Sequence, residues 1–323
     1  MDNRNNTQNM KNVPGAGRGS LLFEHPRKAA SGMLYSGVVL GILLFSLFIG
    51  FTLAFVSNST GATTEEIAAS EWYKYVSYLA GQVVNLLAIA VFVAVFRERP
   101  SSFGWRKAHP KYFLVAILLA YGTLFALSYL NVLASELFAL FGYEAESSEL
   151  PSLAGAGFVG ALFVIAVLPA VFEETVFRGV ILEGVKDIGT VAACLLGGLL
   201  FSLFHMNPMQ TVYQFVCGCI FTLVALRANS LLPAVLMHFL NNAVILFESK
   251  FGFLSGVPTA GAVAIYVTSA LCLVAGLVYL IFFDRKNARK KEGPIRPFLL
   301  PALPGLLVAA LVWILTFASG IGG

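Results

Sequence analysis

The stretch Val171-Phe-Glu-Glu-Thr-Val-Phe-Arg-Gly-Val180 sets two adjacent carboxylates and an arginine between long apolar runs. In so hydrophobic a chain these charges either face water or are tightly paired. Charge at bilayer depth is costly enough to be read first as functional. The plainer alternative is a solvated helix end with an arginine clamp. If the helix continues, Glu174 and Arg178 are four residues apart and can pair on one face. Glu173 is turned by about 100° from Glu174, free to point into a cavity. Pro169, four residues earlier, cannot donate to the helix ladder and can kink this end.

Working outward, 58% of the 323 residues are hydrophobic and 12% are charged, with a mean hydropathy of +0.81. A soluble domain is about half apolar and about a quarter charged. The expected fold is therefore all-α: a polytopic membrane helix bundle. Apolar runs occupy residues 33–56, 76–96, 112–134, 153–172, 188–205, 211–227, 231–247, 261–283 and 298–318. Most reach the roughly 17–25 residues that span a bilayer, giving about 8–9 transmembrane helices. The first run is too long for a signal-peptide core and reads as a retained helix. Residues 1–30 are polar and read as a flexible cytoplasmic segment.

With the N-terminus inside, all of the 21 Lys and Arg except Lys74 and Lys250 fall in cytoplasmic segments. The positive-inside rule thus supports both the helix count and a cytoplasmic N-terminus, and the expected location is the plasma membrane, as a multi-pass protein. The outer loops carry Glu65, Glu66 and Glu71, then Glu144, Glu146 and Glu149. On this topology the Glu173 cluster sits at the cytoplasmic end of the fourth helix. Cys194, Cys217, Cys219 and Cys272 lie inside apolar runs and read as small packing residues. The basic run Asp284-Arg-Lys-Asn-Ala-Arg-Lys-Lys follows a spanning run directly. It reads as a topology anchor touching lipid headgroups, not as a nucleic-acid site.

Two further polar groups interrupt the second half. His205 closes the run Phe201-Ser-Leu-Phe-His205. His238 and Asn242, four apart in His238-Phe-Leu-Asn-Asn242, share a helix face, with Asn241 turned away from Asn242. Singly, each has a bland reading, an interfacial histidine or interhelical packing glue. Together they supply a carboxylate that can take a proton from water and donors for a developing oxyanion. That set suffices to hydrolyse an amide without a protein nucleophile. Two histidines and a glutamate could equally hold zinc with an open position, and the spacing fits both chemistries. A straight fifth helix would separate His205 from Glu173 in depth. A fourth helix that extends beyond Phe172, or run boundaries misplaced by a turn, would remove the conflict, and the sequence leaves both open.

Glu-Glu-x-x-x-Arg, then Phe-x-x-x-His, then His-x-x-x-Asn, in order on apolar helices, resembles the CAAX protease and bacteriocin-processing family of intramembrane proteases. The likeness covers about a third of the chain. It implies a catalytic membrane core at 153–248, flanked by N-terminal transmembrane helices at 31–152 and a C-terminal hairpin with a basic loop at 249–323. The resemblance implies that Glu173 acts as general base with His205 on water, and that His238 and Asn242 stabilise the oxyanion. It makes Glu174 and Arg178 a supporting ion pair and places the cavity open towards the cytoplasm. It favours glutamate-activated water over a zinc site formed by Glu173, His205 and His238. The expected partners are membrane lipids and a peptide or membrane-protein substrate. The alternatives are a non-proteolytic binding protein on the same scaffold (bacteriocin immunity or assembly), or an ion-coupled transporter using the intramembrane Glu, His, Asn and Gln214.

Overall fold

Each apolar run forms a helix in the computed structural model, which describes residues 26–144 and 149–321. In chain order these are α1 (Pro26–Thr60), α2 (Glu71–Phe96), α3 (Pro110–Ala139), α4 (Ala156–Ile188) and α5 (Thr190–Phe204). They continue as α6 (Pro208–Ala228), α7 (Leu232–Phe251), α8 (Thr259–Phe283) and α9 (Arg296–Ser319). Eight are long and apolar enough to cross a membrane, and α5 is a shorter apolar helix of 15 residues. At 1.5 Å per residue α5 reaches only about 22 Å, short of the ~30 Å hydrocarbon core. Among the described residues there are no strands, only an isolated bridge between Tyr143 and Ile321. The chain is an all-α, multi-pass membrane protein.

The surface is apolar and the interior partly polar. Phe51 and Phe283 are 74% and 77% exposed, whereas Glu174 and Asn85 are fully buried. That inversion suits a lipid solvent, in which helices associate through small residues and interhelical hydrogen bonds. At the α5–α6 crossing, a Cβ on Gly218 would lie 2.8 Å from the Gly198 Cα. Only glycine permits this approach, and it brings the Gly218 carbonyl within reach of α4.

The fourth run does not stop at Phe172. Helix α4 continues for sixteen more residues, so the Glu173 cluster lies in its middle and not at its cytoplasmic end. The charges ended the apolar run without ending the helix, because they are paired inside the bundle. Regular α-helical turns at Leu168–Glu174 are flanked by wider π-helical segments at Leu162–Val167 and Thr175–Ile181, a distortion frequent at functional positions.

The bundle has two chemically distinct ends. At one, Arg27 pairs with Glu98 at 3.6 Å, Arg106 with Glu183 at 3.0 Å, and Lys111 with Asp284 at 2.6 Å. Asn287 donates to the Arg227 carbonyl at 2.8 Å in the same region. At the other, Lys74 pairs with Glu149 at 2.8 Å and Glu71 accepts from the Ser152 amide at 2.7 Å. Of the polar N-terminal segment, residues 1–25 lie outside the described residues, as does Glu146 in the loop at 145–148. Residues 26–30 are not a tail but the first turn of α1. Buried Lys28 holds them there, pairing with Asp187 at 2.8 Å and donating to the Pro294 carbonyl at 2.6 Å.

Candidate active site

Residues from α2, α3, α4, α6 and α7, together with Leu150 and His205 from the connecting loops, line one cavity of about 500 Å³. The size suits a ligand pocket. Glu173, His205, His238 and Asn242 all border it, so the depth conflict between Glu173 and His205 does not arise. The mid-helix position of Glu173 and the shortness of α5 together account for this.

The two carboxylates play different structural parts. Glu174 is fully buried, and its Oε1 accepts from Arg178 Nη1 at 2.8 Å. The Arg178 guanidinium also donates to the Gly218 carbonyl at 3.2 Å. It lies 4.4 Å from the centre of the Phe201 ring and 5.2 Å from that of Phe221, a cation–π setting. The same Glu174 Oε1 meets His238 Nδ1 at 2.9 Å. A carboxylate there makes Nδ1 the protonated nitrogen, which fixes the ring's orientation and leaves Nε2 for the cavity. His238 Nε2 is 3.9 Å from Glu173 Oε2. His238 thus stands between the carboxylates, oriented by one and facing the other.

Glu173 keeps away from the arginine pair. Its Oε1 accepts from Gln82 Nε2 at 2.8 Å, and Gln82 is itself steadied by Asn85 at 3.4 Å. Sequence reasoning did not single out Gln82. The signal was present, because Gln82 and Asn85 are the only carboxamides in the 76–96 run and sit one turn apart. His205 Nδ1 bonds the Phe201 carbonyl at 2.7 Å, leaving its Nε2 free.

Asn242 Nδ2 donates to the Ile165 carbonyl at 2.9 Å, leaving one N–H uncommitted. Asn241, expected to turn away, also borders the cavity. It accepts from Tyr213 at 2.7 Å and donates to Asn242 Oδ1 at 3.2 Å. Tyr213 and Asn241 therefore set which way the Asn242 amide faces. Among the described residues, no three His, Cys, Asp or Glu side chains are grouped to hold a metal ion. Glu173, His205 and His238 share a cavity without forming a ligand set.

These features define a multi-pass membrane protein with a buried carboxylate–imidazole site inside its helix bundle. Residues 155–244 match the family model described as Type II CAAX prenyl endopeptidase Rce1-like. The match covers a little over a quarter of the chain and takes in Glu173, Glu174, Arg178, His205, His238 and Asn242. Over that segment the likeness to the CAAX protease family holds. No curated protein and no solved structure matches the chain.

Proposed function

We propose that the chain is an intramembrane endopeptidase in which Glu173 activates water. The observation that carries this is the division of labour between the carboxylates. Arg178 and His238 engage Glu174, while Glu173 faces the cavity with an amide as its hydrogen-bond partner. Glu173 takes a proton from water held also by His205 Nε2, and the hydroxide oxygen bonds to the peptide carbonyl carbon. The free N–H of Asn242 and the Nε2–H of protonated His238 stabilise the oxyanion. As the C–N bond breaks, Glu173 returns the proton to the leaving nitrogen. The water's two hydrogens thus end on the new carboxyl and amine, and no co-reactant is consumed.

The test compares proteomes of cells carrying wild type, Glu173→Ala or His205→Ala, with each variant first confirmed as inserted and stable. A peptide terminus present only with wild type supports the reading. Cleavage that survives both changes overturns it. The chemistry is proposed to be metal-free, so a chelator should leave cleavage by the purified protein unchanged.

A further inference from the structure

The cavity is markedly one-sided. On α2 it is bordered by Tyr78 and Gln82, and by nothing nearer the basic end of that helix. On α4 the lining residues run from Val164 to Glu173 and stop there; on α7 they begin at His238 and continue to Leu246. On α6 only the first turns contribute, ending at Gln214. Since α4 starts at the acidic end and α7 at the basic end, every helix gives the same answer. Glu173 and His238 form the floor, and the cavity extends from them towards the acidic end.

Beyond the floor the basic side is filled. Phe103 is 3% exposed, and its carbonyl would lie 2.7 Å from a Cβ on Gly179. Trp105 Nε1 donates to Thr175 Oγ1 at 3.2 Å, two residues past Glu173 on the same helix, and the Leu231 amide donates to the Gly104 carbonyl at 2.9 Å. The loop joining α2 and α3 therefore caps the site from the end that carries the basic residues.

We propose that substrate reaches Glu173 from the acidic end of the bundle, which the positive-inside rule makes the non-cytoplasmic side. This rests on the endopeptidase reading and reverses the cytoplasmic access implied by the family resemblance. The lining chemistry also names the substrate class. Between mouth and floor the polar groups are amides and phenols such as Tyr78, Gln82, Gln210 and Gln214, with the His205 imidazole, and among the described residues no Lys or Arg borders the cavity. A free C-terminal carboxylate would meet Glu173 there with no Lys or Arg to receive it, the His238 ring being held already by Glu174. An extended, uncharged internal stretch of polypeptide fits, its main-chain groups paired by the amides.

Cysteine accessibility tests this without requiring proteolysis. Gln210→Cys at the acidic end, Gln214→Cys within the cavity and Lys290→Cys at the basic end would be exposed singly to a membrane-impermeant thiol reagent. Intact and permeabilised cells are compared, with the parent chain as the blank for its four native cysteines. The expected result is labelling of Gln210→Cys and Gln214→Cys in intact cells, and of Lys290→Cys only after permeabilisation. Labelling of Lys290→Cys in intact cells overturns the orientation. Gln214→Cys that labels from the Lys290 side alone, or from neither side, overturns the mouth. Tyr78→Cys, on a different helix, repeats the cavity test should Gln214→Cys not fold. These outcomes stand apart from the cleavage assay, so access can fail while catalysis holds, and the reverse.

Discussion

The same ion-pair chemistry occurs twice in this bundle with opposite consequences. At the basic end, Arg27 and Glu98 meet at 3.6 Å with side chains 42% and 23% exposed. In the middle, Arg178 and Glu174 meet at 2.8 Å with neither side chain exposed. Exposed pairs contribute about 0–1 kcal/mol, because water and salt screen them. A fully buried pair has little net worth against an apolar substitute, yet losing one partner strands the other charge. The comparison teaches that the central pair is poorly explained as a staple. Its place in the bundle follows from the second bond Glu174 makes, the one that orients His238 at 2.9 Å.

The largest expected effect comes from breaking the buried pair on one side. Arg178→Leu leaves buried Glu174 with His238 as its remaining partner and should destabilise the protein by about 3–5 kcal/mol, read as a large drop in melting temperature in detergent. Arg27→Gln, the matched change at the basic end, should cost about 0–1 kcal/mol. Equal losses at the two positions would remove the contrast.

Next in size is the link between Glu174 and His238. Glu174→Gln should lower kcat, because an amide that presents its NH₂ no longer fixes the Nδ1-protonated ring. If the two residues act as one unit, combining this change with His238→Gln should add little to the larger single effect. A coupling of about 0.5–3 kcal/mol is ordinary for groups in contact. Full additivity would mean that His238 is oriented by something else.

Gln82→Leu is a smaller perturbation of the other carboxylate. It removes the amide that donates to Glu173 at 2.8 Å, an interaction of about 1.5–3 kcal/mol when one partner is charged. The expected outcome is a fall in kcat of about tenfold or more with KM little changed, and partial recovery in Gln82→Asn. A pure KM effect would assign Gln82 to substrate binding.

What could be read in the sequence followed the range of each interaction. The Glu174–Arg178 pair is local, and its four-residue spacing was enough to anticipate it. The helices were legible because a lipid solvent demands long apolar runs. The extent of α4 was not, since a hydropathy run stops at a charge whether or not the helix does. Gln82 was overlooked because its partner lies 91 residues away on another helix. His238 was grouped with Asn242 by periodicity, whereas its hydrogen bond runs across to α4. Periodicity assigns a residue to a face without saying which neighbour that face meets. Cavity direction needed the whole bundle, as it depends on how far each lining stretch runs.

The smallest effect is expected at the basic end, where Lys111 meets Asp284 at 2.6 Å. Burial opposes ionisation of the Asp284 carboxyl, but hydrogen bonds from Lys111 and Tyr112 outweigh it and hold the group below the ordinary aspartate range. With a folded-state pKa below the unfolded value of about 3.9, stability from this group is present above that value. It is lost as pH falls through the depressed folded pKa. Asp284→Asn should therefore lower the melting temperature by a few degrees at pH 7, and the gap to wild type should close as pH is taken below about 3.9. Cleavage at pH 7 should be unaffected, because Asp284 touches neither the cavity nor the groups that orient Glu173. A gap that persists unchanged into acid would show that packing around Asp284, and not its charge, ties α3 to the loop after α8.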